Sequence, residues 1–141
     1  MPKFRTFIHE LKHFILVVLS GNKVKDFHFD THTGHVEFAM YSNKVHFGPF
    51  IAMAPYFLPL FSLPTLIACF VFEEWNKPML CILLGITLAA DISMAYKEIH
   101  PHQTDFKKIF GGFLICALYL AGFHLMWTSL CLLWVLSLIH I

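Results

Sequence analysis

Residues 9 to 13 read His-Glu-Leu-Lys-His. On a helix, residues four apart share a face, so His9 and His13 can offer two imidazoles to one metal ion. Glu10 follows one residue on, about 100° around the axis, where it can take a proton from a water activated by that ion. The pattern is that of a zinc hydrolase, with Zn2+ as cofactor, His9 and His13 as metal ligands and Glu10 as general base. A catalytic zinc site takes three protein ligands. Asp91, the acidic residue inside the apolar run LGITLAADISMAY, is the expected third, because a carboxylate in such surroundings needs a partner. A rival set lies in EIHPHQTDFKK, where His100, His102 and Asp105 stand close together, although Thr104-Asp105 also suits a helix N-cap.

The elements that must carry these residues are those of a membrane protein. Of 141 residues, 57% are hydrophobic and 13% charged, and sixteen are Phe. Soluble domains carry about 25% charged and about 45–50% apolar residues. The expected fold class is an all-α membrane protein of one domain, 1–141, with four transmembrane helices at about 4–20, 48–72, 79–96 and 109–136. The Ser20-Gly21-Asn22 sequence closes the first. Pro49, Pro55, Pro59 and Pro64 punctuate the second, so it is expected to be kinked, and kinked backbone in lipid survives where it is packed or borders a wet cavity.

Region 22–47 is the sizeable polar stretch. KVKDFHF and HVEFAMY alternate in polarity around the turn-rich Asp30-Thr31-His32-Thr33-Gly34, which predicts a β-hairpin lying against the membrane surface or the mouth of the bundle. In an up-and-down chain the first and third helices run parallel. His13 and Asp91 each precede the end of their span by about seven residues, and so lie at a similar depth of roughly 10 Å. That depth match favours Asp91 over Asp105.

Ionisable groups inside a span cost about 2.5–3.5 kcal/mol each on insertion scales. Several at ligand spacing therefore point to a function, against the competing reading of a short interfacial helix. His124 in the last span reads as a packed core histidine and His140 as an exposed one. His28, His32, His35 and His46 of the hairpin read as polar surface. The four cysteines lie in apolar runs without paired spacing and read as small hydrophobes. A net charge of +1 gives no ground for nucleic-acid binding. No cleavable signal peptide is expected, because His9, Glu10, Lys12 and His13 interrupt the first apolar run. Lys23, Lys25, Lys44, Lys97, Lys107 and Lys108 outweigh Lys3, Arg5, Lys12 and Lys77, which places the hairpin side, slightly, in the cytoplasm.

FIHELKHFILVVLSGNKVKDFHF, then GHVEF, then GPFIAMAPYFLPLFSL resembles the site-2 protease family of intramembrane zinc metalloproteases, over roughly residues 5 to 108. The resemblance implies His9 and His13 as zinc ligands, Glu10 as general base and Asp91 at the place of the family's second-motif aspartate. The usual Asn/Pro-rich approach to Leu-Asp-Gly is absent here, and Lys12 replaces a small residue. The implied activity is hydrolysis of a membrane-embedded or membrane-adjacent peptide, for which the hairpin edge offers a place as an added strand. The partners are the lipid bilayer and a membrane-protein or peptide substrate, with no nucleic acid. The alternatives are a non-proteolytic metal-binding membrane protein and a structural small membrane protein.

Overall fold

The computed structural model describes residues 2–30, 34–72, 76–101, 103–107 and 109–139. It is mostly helical, with one two-stranded antiparallel hairpin. Helix α1 (Pro2–Leu19) is followed by β1 (Lys23–Phe29), β2 (Gly34–Ala39) and a 3-10 helix (Ser42–Phe47). Then come α2 (Gly48–Phe57), α3 (Ser62–Val71), α4 (Lys77–Glu98), the short α5 (Thr104–Lys107) and α6 (Gly112–Ile139).

Helix α1 stops where the sequence predicts. Gly21 takes φ 68°, its N–H donates to the Val18 carbonyl at 2.9 Å, and Asn22 N–H reaches back to Val17 at 3.0 Å. This pair of bonds is a Schellman cap, which needs a left-handed residue. Lys44 Nζ donates to the Gly21 carbonyl at 2.7 Å, tying the segment after the hairpin to the end of α1. The predicted hairpin is present, with Phe27 opposite Val36, Phe29 opposite Gly34 and a bulge between Val24 and Asp26. Residues 31–33 of its turn lie outside the described residues.

The proline-rich run does not make one kinked helix. It makes two ten-residue helices, α2 and α3, whose axes bend by 79° at the break. Proline has no N–H, so Pro55 leaves the Ile51 carbonyl without its helical donor, and Pro59 does the same to Pro55. Distant side chains supply both donors: His13 Nδ1 to the Ile51 carbonyl at 2.7 Å and Lys12 Nζ to the Pro55 carbonyl at 3.1 Å. His124 Nε2 donates to the Tyr56 carbonyl at 2.9 Å. Across the break, Asp91 receives the exposed amides of α3. Ser62 N and Ser62 Oγ each donate to Asp91 Oδ2 at 2.7 Å, and Phe61 N donates to it at 3.2 Å. Trp127 Nε1 then donates to Ser62 Oγ at 2.9 Å.

Helix α4 starts on an Asn76 cap, whose side chain accepts from Met79 N at 3.2 Å, with Pro78 in the first turn. At 1.5 Å per residue, α4 is about 33 Å long and α6 about 42 Å, against a bilayer hydrocarbon core of about 30 Å. These two helices are long and apolar enough to cross a membrane, and the broken pair α2–α3 would make a third crossing. Their outer faces carry exposed Ile82, Ile86, Leu118 and Leu133. Inside, Leu66, Cys69, Leu84, Trp127 and Trp134 join α3, α4 and α6. Met53, Tyr56, Phe106, Cys116 and Leu120 form a second core under α5. The cysteines are unpaired, with Cys69, Cys116 and Cys131 buried.

Removing one member of a buried charged network costs about 3–5 kcal/mol. Asp91→Ala is therefore expected to lower the unfolding temperature in detergent by many degrees, as read by circular dichroism. A change within error would mean that the α3 amides do not depend on Asp91.

Candidate metal centre

His9 and His13 share one face of α1, with rings 5.1 Å apart. The structure brings them to Asp105 at the start of α5. Asp105 Oδ2 lies 3.8 Å from His9 Nε2 and 3.9 Å from His13 Nε2. One donor atom from each of the three residues lies within 4.8 Å of the others.

The outer ring nitrogens fix the tautomers. A backbone carbonyl can only accept, so the Ile51 contact puts a proton on His13 Nδ1. His9 Nδ1 donates in the same way to Glu98 Oε2 at 2.9 Å. Each ring therefore turns Nε2 toward Asp105, and in the neutral form that atom carries the lone pair. Such outer-shell partners are the usual means of orienting metal-bound histidines. Tyr56, fully buried, donates its hydroxyl to Asp105 Oδ2 at 3.0 Å and sets its ring edge-on to His9.

This donor set could hold a metal ion such as zinc. A tetrahedral ion with ligands at about 2.0–2.1 Å holds them about 3.3–3.4 Å apart. The two Asp105 separations need a closure of about half an ångström, and all three donor atoms lie within 4.8 Å of one another. Two imidazoles and one carboxylate would leave a fourth position for water or substrate.

Asp91, the third ligand expected from depth, is not part of this cluster. Its carboxylate is buried among the amides at the start of α3, with the helix break standing between α4 and the metal face of α1. Equal depth does not bring the two together, and the carboxylate that meets His9 and His13 comes from the segment after α4. Sequence reasoning had Asp105 as the rival ligand, and it missed Glu98, Tyr56 and the Ile51 carbonyl. The last of these was readable, since a proline four residues after Ile51 predicts an orphan carbonyl. His100 lies outside the cluster, and His102 lies outside the described residues.

Glu10 is buried. It borders a cavity of about 1020 Å³ together with His9, His13, Asp105, Glu98 and Gly34, His35, Val36 and Phe38 of β2. Of the hairpin histidines, His35 Nε2 pairs with Asp26 at 3.3 Å and its ring faces His28 at 5.5 Å. His46 packs on Phe47. His32 and His140 lie outside the described residues. Among the described residues, these histidines form no second metal cluster. Comparison with protein-family models, curated proteins and solved structures finds no match for this chain.

Asp105→Ala is expected to abolish tight zinc retention, and Asp91→Ala to leave stoichiometric zinc in whatever fraction stays folded. Glu98→Ala should weaken zinc affinity by about 10–100-fold, measured by competition with a chelating dye. Zinc lost from Asp91→Ala and kept in Asp105→Ala would return the third ligand to α4.

Proposed function

We propose that this chain is a membrane-embedded zinc metallopeptidase of the HExxH type, acting on a peptide segment in or beside the bilayer. What supports this reading is the meeting of His9, His13 and Asp105, with both Nδ1 atoms committed elsewhere and Glu10 on the same cavity. The resemblance of the α1–hairpin–proline segment to the site-2 protease family points the same way. Zinc, when bound, supplies a Lewis acid for the scissile carbonyl and makes water a nucleophile near neutral pH.

The chain's own residues do the rest. Glu10 receives a proton at its carboxylate from the attacking water and returns it to the leaving amine. Glu98 and the Ile51 carbonyl keep the two imidazoles in the ligating tautomer. The cavity admits water to a chain that is otherwise apolar. β2 pairs with β1 along one edge, and its Gly34, His35, Val36 and Phe38 line the cavity, so an extended peptide can lie beside it.

In the membrane, α4 and α6 cross, α2–α3 crosses as a broken helix, and α1 is the fourth element with Glu10 and Lys12 turned inward. The hairpin side faces the cytoplasm on its lysines. A cysteine placed at Lys23 should then resist an impermeant maleimide in intact cells, and ready labelling would reverse the orientation.

The transporter reading, a metal-binding membrane protein that hydrolyses nothing, is less favoured by one observation. Ends of discontinuous helices in transporters hold the transported ion. Here Lys12 and Asp91 already satisfy those ends.

Detergent-purified protein is expected to carry about one zinc per chain, lost in His13→Ala. Glu10→Gln should keep that zinc while hydrolysis of unfolded casein falls about 10²–10⁴-fold. Hydrolysis that survives in Glu10→Gln would remove the protease reading, and zinc absent from the wild type would remove the metal site altogether.

A further inference from the structure

Helix α1 presents three faces to three neighbours. His9 and His13 face Asp105. Lys12 faces the helix break. Phe7 and Phe14 hold the hairpin, with Phe7 at 4.8 Å from Phe29 and Phe14 at 5.6 Å from Phe27 between ring centroids. Between those two anchors Glu10 reaches the hairpin, about 100° around the helix from His9.

The residue it meets is Gly34, the first of β2. A Cβ placed on Gly34 would lie 2.5 Å from Glu10 Cγ, 2.7 Å from Oε1 and 2.9 Å from Cδ. Gly34 is not among the glycines with positive φ, which are Gly21, Gly111 and Gly112. The glycine is therefore required by space and not by backbone conformation. Cγ is two bonds from the α1 backbone, so Glu10 could relieve such a contact only by turning its whole side chain. Glu10 is only 7% exposed, with the cavity on its one open side.

We propose that Gly34 is the positioning residue of Glu10: the bare backbone of β2 fixes where the carboxylate points, and the aromatic anchors fix β2. This inference rests on the reading of Glu10 as general base. The hairpin then has a role in the chemistry besides bordering the cavity, since a displacement of about 1 Å at a reacting centre costs on the order of 10²-fold in rate.

The test is a double-mutant cycle in the full chain with Gly34→Ala, Glu10→Ala and both together. Unfolding temperatures are taken on chelator-treated protein, so that the contact is read without metal. Gly34→Ala should lower the temperature by about 2–4 °C when Glu10 is present, and by no measurable amount in the Glu10→Ala background. Effects of the extra methyl on the unfolded chain cancel in the cycle. With zinc restored, Gly34→Ala should hold wild-type zinc while casein hydrolysis falls about 10²-fold. Equal temperature losses in both backgrounds, or wild-type hydrolysis in Gly34→Ala, would overturn the proposal. A wild-type chain that hydrolyses nothing would remove the protease reading, and the temperature cycle would still decide whether Gly34 seats Glu10.

Discussion

Pro55 and Pro59 withhold two amide donors from one short helix, and most of the architecture follows from how those carbonyls are satisfied. In lipid an orphan carbonyl costs several kcal/mol, so donors have to come from elsewhere in the protein. They come from consecutive residues of α1, Lys12 to Pro55 and His13 to Ile51. That pairing sets α1 antiparallel to α2 and fixes its rotation. Once the rotation is fixed, His9 falls beside Tyr56 and Glu98, and Glu10 turns toward the hairpin. One backbone deficiency thus orients the helix that carries all of the candidate chemistry.

The same constraint accounts for the charges in α1. Lys12 looks out of place in an apolar helix, yet it is buried and donates to the carbonyl that Pro59 leaves without a helical partner. It also lies in the field of the Asp91 and Glu98 carboxylates. Across the break, Asp91 faces the start of α3, where the helix dipole and exposed N–H groups favour a negative charge. The two halves of the broken helix are therefore closed by groups of opposite sign. Charges that would be expensive alone are here the means of holding a break open.

Much of this was legible in the sequence and some was not. The hairpin over 22–47, the Gly21 stop and the pairing of His9 with His13 follow from local pattern, because turn chemistry and helical periodicity act over a few residues. The second apolar run was read as one kinked helix. Periodicity cannot tell a kink from a 79° break, which depends on partners 30 or more residues away in sequence. Asp91 was assigned to the metal by depth along a parallel helix. Depth is one coordinate, and the missing one was the angle around α4, which the Ser62 contact decides. Glu98 stood in the sequence as the marker of a span's end, and nothing local betrays that its carboxylate turns back to His9.

The choice between Asp91 and Asp105 as third ligand reduces to what each carboxylate already holds. Asp91 Oδ2 accepts from Phe61 N, Ser62 N and Ser62 Oγ, and Oδ1 also lies 3.3 Å from Phe61 N. A carboxylate has about four lone-pair sites, so little remains to offer an ion, and moving it would strand buried amides. Asp105 Oδ2 accepts from Tyr56 and otherwise looks across a gap of 3.8–3.9 Å at two imidazole nitrogens. That gap is too long for a hydrogen bond. Asp105 and the two imidazoles are thus placed where they could hold a cation. The segment after α4 brings this carboxylate to the histidine face of α1, while Asp91 of α4 braces the break.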